Sequence, residues 1–159
     1  MQKQFDSKSA IILGMHDALV SLTGLIAGLY FAFTNTDIIV ISCIISSITA
    51  SLSMGAANYL AVKTVNRFHA IKAALYTASA YMTTCVLLIF PFFAIKNQGT
   101  AFIAVLITAI FIIYFFNKFF YSRQNFYKHF FEMLIICTSV SLVAFGIGSI
   151  AKYFFGIQF

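Results

Sequence analysis

The carboxyl group of Asp17 lies within a stretch of the chain that is otherwise apolar enough to cross a membrane. Residues 10–33 contain no other formal charge. An acid at membrane depth is costly and is retained where it meets a partner, a cavity or an ion. Carboxylate oxygens bind Mn²⁺ and Fe²⁺, and a carboxyl group can also take up a proton. Asp17 is therefore predicted to bind a cation or a proton; the alternative is an acid that is hydrogen-bonded to Ser or Thr neighbours.

The acid shares one helical stripe with small residues. In helical register the stripe contains Gly14, Asp17, Ser21, Gly24 and Gly28. Small side chains let a second helix approach closely. This side of the first helix is therefore predicted to face protein.

Met54 is predicted to lie at the same depth as Asp17. The polar residues 34–37 are typical of a tight turn, so the first two apolar stretches form an antiparallel hairpin. Asp17 follows Lys8 by nine residues and Met54 precedes Lys63 by nine, which is roughly 13 Å of helix in each case. A thioether is a soft ligand that favours iron over magnesium or calcium. Met54 is a second candidate ligand, and simple packing is the alternative.

Two side chains next to this pair are also candidates. Asn58 lies one helical turn after Met54 and offers an amide oxygen; the alternative is an amide that bonds between helices. His16 lies about 100° around the helix from Asp17. It is predicted to be a proton relay, with a polar interface residue as the alternative.

Glu132 is the fourth candidate ligand. It follows Lys128 by four residues, which places it about 6 Å into the last apolar stretch. The alternative is an ion pair with Lys128 or Arg123 at the membrane interface. One chain supplies few ligands for a first-row divalent metal, and a twofold dimer would double them. The predicted metal ligands are Asp17, Met54, Asn58 and Glu132.

Composition and hydropathy predict the elements that position these residues. The 159 residues are 62% hydrophobic and 9% charged, with a mean hydropathy of +0.97. A soluble domain carries about 25% charged residues. Five apolar stretches, residues 10–33, 38–62, 70–95, 101–120 and 130–155, each reach the roughly 20 residues that a bilayer requires. We therefore expect an all-α membrane protein, a single domain of five transmembrane helices embedded in the lipid bilayer.

The distribution of basic residues predicts how the chain is oriented in the membrane. The formal charge is +6, but the lysines and arginines lie between the apolar stretches and form no nucleic-acid-binding run. By the positive-inside rule the N-terminus is predicted to be cytoplasmic and the C-terminus to lie on the far side. The predicted cytoplasmic side carries Lys3, Lys8, Lys63, Arg67, Lys72, Lys118, Arg123 and Lys128, and the other side carries Lys96 and Lys152.

The order of these motifs resembles that of the vacuolar iron transporter family. The resemblance rests on Asp17-Ala-Leu-Val-Ser leading to Ala-Gly28, on Ser-Met54-Gly with a tyrosine five residues after the methionine, on Pro91 near the end of the third span, and on Gly-Ile-Gly148 in the fifth. Each motif is weak by itself, and the ordered set covers all five spans.

The resemblance implies a homodimeric exporter of Fe²⁺ or Mn²⁺, driven by exchange for protons. Metal would be the transported substrate, and no cofactor is implied. In that family the acid of helix 1 and the methionine of helix 2 line a path between protomers; here these are Asp17 and Met54. The metal would leave the cytoplasm across the plasma membrane of a bacterium or the vacuolar membrane of a eukaryote.

The chain departs from the family pattern at three places. Ala18 follows the acid where the family has glycine, and Asn58 stands where many members have an acid. The link between the second and third stretches is about ten residues long and basic. The chain is therefore a short form without the acidic metal-collecting insertion of eukaryotic members.

Two other classes of function were weighed against transport. A non-transporting membrane subunit, or the anchor of a haem or quinone, would need axial histidines deep in facing helices. Of the three histidines, only His16 lies within a span. An enzyme is not predicted, because the chain has no H-E-x-x-H or G-x-S-x-G motif and no paired catalytic carboxylates.

Overall fold

The apolar stretches fold as long helices, because a chain in a bilayer must satisfy its backbone hydrogen bonds within each segment. The computed structural model describes residues 7–65, 67–120 and 126–155, without the side chain of residue 155. These residues form five helices and no strand: α1 (Ser7–Ala32), α2 (Thr36–Lys63), α3 (Ala70–Ala94), α4 (Gln98–Phe120) and α5 (Phe126–Phe155). All five are long and apolar enough to cross a membrane, which confirms the predicted fold class.

The helices extend beyond the predicted apolar stretches at several ends. Helix α1 begins at Ser7 instead of residue 10, and α5 begins at Phe126 instead of residue 130. The predicted stretches end where the residues become polar, whereas helical hydrogen bonding continues into the aqueous interface. The predicted turn after α1 is confirmed, since Asn35 caps α2 by accepting a 2.8 Å hydrogen bond from the backbone N–H of Asp37.

Helix α1 is the centre of the bundle. It contacts all four other helices, most extensively α5 and α3, while α2 packs mainly on α3. Its most hydrophobic segment is 56% buried, against 17% for the corresponding segment of α5. Leu19, Leu22 and Ile26 of α1 are almost completely inaccessible and form the middle of the core. The functional groups on α1 are therefore held by the most constrained helix of the molecule.

Glycines set the distances between α1 and its two main neighbours. A Cβ atom on Gly14 would overlap the backbone carbonyl of Thr77 in α3. A Cβ atom on Gly148 of α5 would overlap the backbone carbonyl of Gly28. The predicted stripe of small residues thus packs against protein at its glycines, but it divides between two helices. The polar members of the stripe, Asp17 among them, remain exposed between those contacts.

Candidate functional site

Asp17 is exposed on the single chain even though it lies deep in a membrane-spanning helix. It is ten residues from the start of α1, roughly 15 Å along the helix axis. Leu13 and Ser21, one turn on either side, are exposed as well. These three residues form an open face of α1, which we call the acidic face. The carboxyl group is therefore neither sealed within the chain nor supplied with a described salt-bridge partner.

The contacts of α1 with α3 fix the depth of Asp17. Gly14 lies against the backbone of Thr77. Ser21 and Tyr81 share a hydrogen bond of 2.7 Å between their hydroxyl groups. Asp17 lies between Gly14 and Ser21 along α1, so its level on α3 lies between residues 77 and 81.

The contacts of α2 with α3 place Met54 at the same level. Gly55 packs against Ala78 of α3, which lies within that interval. Met54 precedes Gly55 and is half-buried against the hydrophobic core. The acid and the thioether therefore lie at a common depth on neighbouring helices, in the arrangement that counting residues from the flanking lysines predicted.

Asn58 ties α2 to the two other helices of this region. Its amide nitrogen donates hydrogen bonds to Thr77 Oγ1 at 2.5 Å and to the carbonyl of Ala73 at 3.4 Å. Thr77 in turn donates to the carbonyl of Ala10 in α1 at 3.1 Å. The amide thus bonds between helices, as the alternative interpretation required. Its donors are used for packing, and only its oxygen has the chemistry of a cation ligand.

A polar track that the sequence analysis did not single out leads away from the acidic face. Beyond the bond from Ser21, Tyr81 is 2% exposed and Cys85 is fully buried one turn further along α3. Asp17 interacts electrostatically with both Tyr81 and Cys85. The hydroxyl of Ser47 in α2 lies against Cys85 without a hydrogen bond of standard geometry. The i, i+4 spacing of Thr77, Tyr81 and Cys85 was the signal in the sequence that predicts a buried polar stripe on α3.

Glu132 and His16 form a separate group on the α5 side of α1. Glu132 is exposed, and its Oε2 is 3.4 Å from Nδ1 of His129, a residue that the sequence analysis did not consider as its partner. Arg123 lies outside the described residues. His16 packs edge-on against Phe116 of α4, with 5.6 Å between ring centroids, and interacts electrostatically with His129 and Glu132. Glu132 therefore lies near His16, whereas Asp17 and Met54 share a depth on neighbouring helices.

Asn117 is a buried polar residue that the sequence analysis missed. It is 1% exposed and its amide nitrogen donates to the carbonyl of Ile113 at 2.9 Å. Its Oδ1, like Nε2 of His16, is buried without a hydrogen-bond partner in the part of the chain that the structure describes. Its spacing in the sequence could have predicted this burial, because Asn117 continues the four-residue spacing of the buried positions 101, 105, 109 and 113.

A single chain does not by itself assemble a complete metal site from the described residues. No group of three or more His, Cys, Asp or Glu side chains is placed to hold a metal ion among them. The acidic face brings one carboxylate, and α2 adds one thioether and one amide oxygen at nearby depth. Such a set can give partial coordination, and it needs further ligands from water or from another chain.

The fold and these positions define a class: an integral α-helical membrane protein whose central helix carries an ionisable group at membrane depth. Residues 8–70 match the model of the VIT family. Over helices α1 and α2 this match agrees with the resemblance to the vacuolar iron transporter family found in the sequence. The matched segment is less than half of the chain; it contains Asp17, Met54 and Asn58 and ends at the first residue of α3.

The VIT family is a family of membrane transporters of metal ions. No match was found among curated proteins.

Proposed function

We propose that the protein is a homodimer that exports Fe²⁺ or Mn²⁺ from the cytoplasm in exchange for protons. The observation that carries the proposal is the exposure of Asp17 on a helix that is otherwise the most buried of the five. A carboxylate facing lipid at this depth costs about 3 kcal/mol. A second copy of the chain on the acidic face, with a cation between the two carboxyl groups, would remove that cost.

The ligand chemistry favours a first-row divalent metal. A twofold dimer would bring two carboxylates, two thioethers and two amide oxygens to one depth, from Asp17, Met54 and Asn58 of each chain. Carboxylate and amide oxygens suit Mn²⁺ and Fe²⁺, and the thioether discriminates against Mg²⁺ and Ca²⁺. When the metal leaves, the same carboxyl group can accept a proton, so one residue would serve both substrates of the exchange.

Glu132 and His16 would act beside this path. Glu132 lies six residues into α5, exposed at the end of the helix that also carries Lys128. There it would be a further metal ligand, at about the level of His16. His16 is the candidate proton relay, because its buried Nε2 has no described hydrogen-bond partner and its electrostatic partners are His129 and Glu132. The distribution of basic residues supports a cytoplasmic N-terminus and transport toward the opposite side.

The proposed exchange can be measured with purified protein in liposomes. The lumen is loaded with a dye that Fe²⁺ or Mn²⁺ quenches, and a second, pH-sensitive dye reports protons. We expect metal uptake that accelerates when the lumen is acidic, together with alkalinisation of the lumen as metal enters. Mg²⁺ should give neither signal. Metal uptake no faster than in protein-free liposomes would overturn the proposal, and uptake without any proton movement would overturn the exchange mechanism.

The proposed dimer contact can be tested by cross-linking through the acidic face. Leu13→Cys and Ser21→Cys place a thiol one turn on either side of Asp17. We expect each variant, in membranes treated with an oxidant, to form a covalent dimer of twice the 17.7 kDa chain mass. Val86→Cys is the control, since Val86 is 58% exposed on α3 away from this face and should stay monomeric. Equal cross-linking at all three positions would contradict a contact centred on Asp17.

A further inference from the structure

An open groove runs between α3 and α4, with α1 as its floor. Its cavity volume is about 700 Å³, within the range of ligand pockets. The walls include Ala80 and Leu87 of α3 and Phe111, Phe115 and Phe119 of α4. The three phenylalanines are 51% to 68% exposed, so the groove opens sideways toward the membrane. We call it the α3/α4 groove.

The wall of the groove is mostly hydrocarbon, and the serine and threonine hydroxyls along it are used within their own helices. Five of its lining residues carry hydroxyls. Besides Tyr76, at the end of the groove, each donates to a carbonyl of its own helix: Ser79 to Tyr76 at 3.2 Å, Thr83 to Ser79 at 2.8 Å, Thr84 to Ala80 at 2.9 Å and Thr108 to Ala104 at 2.8 Å. A polar ligand would lose its hydration without gaining partners there, which is unfavourable. An acyl chain would bury apolar surface at no such cost.

The length of the groove matches one leaflet of a bilayer. Its lining runs from Tyr76 to Leu87 on α3 and from Thr108 to Phe120 on α4. At the rise of a helix these distances are roughly 16 Å and 18 Å. Half of the hydrocarbon core is about 15 Å thick. An acyl chain that begins at the membrane surface would therefore fill the groove along its whole length.

Basic residues lie at one end of this groove. Lys72 is exposed one turn before Tyr76, and Lys8 is exposed one turn before Ile11, another lining residue. Residues one turn apart share a helix face, so both lysines lie on the faces that line the groove. Each lysine near a membrane surface attracts an anionic headgroup. The charge is therefore complementary to an anionic lipid whose chain points toward the membrane centre.

We propose that the α3/α4 groove binds one anionic phospholipid from the leaflet at its lysine end, with an acyl chain in the groove and the headgroup phosphate at Lys72 and Lys8. The site lies apart from the acidic face, because Met15 in its lining and Asp17 are about 160° apart around α1. This proposal rests on the protein being a membrane protein and does not depend on the proposed transport activity.

Native mass spectrometry of the protein in detergent, titrated with phosphatidylglycerol or phosphatidylcholine, tests the site directly. We expect one phosphatidylglycerol to bind more tightly than phosphatidylcholine. Ala80→Phe, which fills the groove, should remove this bound lipid, and Lys72→Gln should weaken phosphatidylglycerol about fivefold but phosphatidylcholine much less, because the choline cation offsets its phosphate. The matched controls are Ala57→Phe on the exposed side of α2 and Lys96→Gln beyond the other end of α3, and both should bind lipid as the unmodified chain does.

Three results would overturn the inference. Equal binding of the two lipids would exclude a site for anionic headgroups. Retention of the lipid in Ala80→Phe would place it elsewhere on the surface. A change in oligomeric mass in Ala80→Phe, with lipid binding unchanged, would show that the groove receives a second copy of the chain instead.

Discussion

Asp17→Asn should reduce metal uptake in the liposome assay about a hundredfold while leaving the fold intact. The amide has the size of the carboxyl group, so the packing of α1 is preserved. It lacks the negative charge. A carboxylate at membrane depth costs about 3 kcal/mol, and a cation that offsets this cost should lose about a hundredfold in affinity when the charge is removed. Because the exchanged proton would use the same group, proton movement should fall together with metal uptake.

The control for this change is Asp37→Asn. Asp37 is an exposed acid in the first turn of α2, outside the acidic face, and its removal leaves membrane-depth charges unchanged. We expect its uptake to stay within twofold of the unmodified protein. Thermal unfolding in detergent without metal gives a second readout, since Asp17→Asn should be no less stable than the unmodified chain. Full uptake in Asp17→Asn, or a loss explained by unfolding, would contradict the role assigned to the carboxyl group.

The sequence predicts the common depth of Asp17 and Met54 because depth in a membrane can be counted. A fixed rise per residue and two flanking lysines give the level of each residue without knowledge of its neighbours. The same counting predicts five spans, because length and hydropathy are properties of each segment alone. Helix ends are predicted less well, since Ser7 and Phe126 begin helices where the chain is already too polar to count as membrane.

The partners of these residues could not be predicted in the same way. The bond between Ser21 and Tyr81 and the burial of Asn117 depend on which helices are neighbours and on how they are rotated. The periodicity of polar and apolar residues predicts which face of a helix is buried, but it does not predict which neighbouring helix covers that face. The association of Glu132 with His16 likewise depends on the packing of α5 beside α1.

The position of α5 beside α1 depends on a contact far from either ionisable group. Gly24 faces Val140, and the backbone of Gly28 touches Gly148, near the other end of the bundle. These contacts fix the register and the distance of the two helices. His16 lies eight residues before Gly24, and Glu132 lies eight residues before Val140. The same register therefore brings Glu132 to the level of His16. A change at the glycine contact should therefore act on the whole α1–α5 pair.

Gly148→Ala should destabilise the protein strongly, because the added methyl group overlaps the backbone carbonyl of Gly28. Backbone atoms cannot rotate away as a flexible side chain can, so α5 must move from α1. Overpacking of this kind costs about 1–3 kcal/mol. For a chain of this size we expect the apparent melting temperature in detergent to fall by about 5 °C or more.

Gly146→Ala provides a matched control two residues away on the same helix. Nothing lies within 4 Å of the position that its Cβ would occupy. Alanine is favoured over glycine inside a helix by about 1 kcal/mol, so Gly146→Ala should be as stable as the unmodified chain or slightly more stable. The two substitutions add the same methyl group to the same helix and should have opposite effects. Equal melting temperatures for the two variants would mean that α1 and α5 are not held together at Gly28 and Gly148.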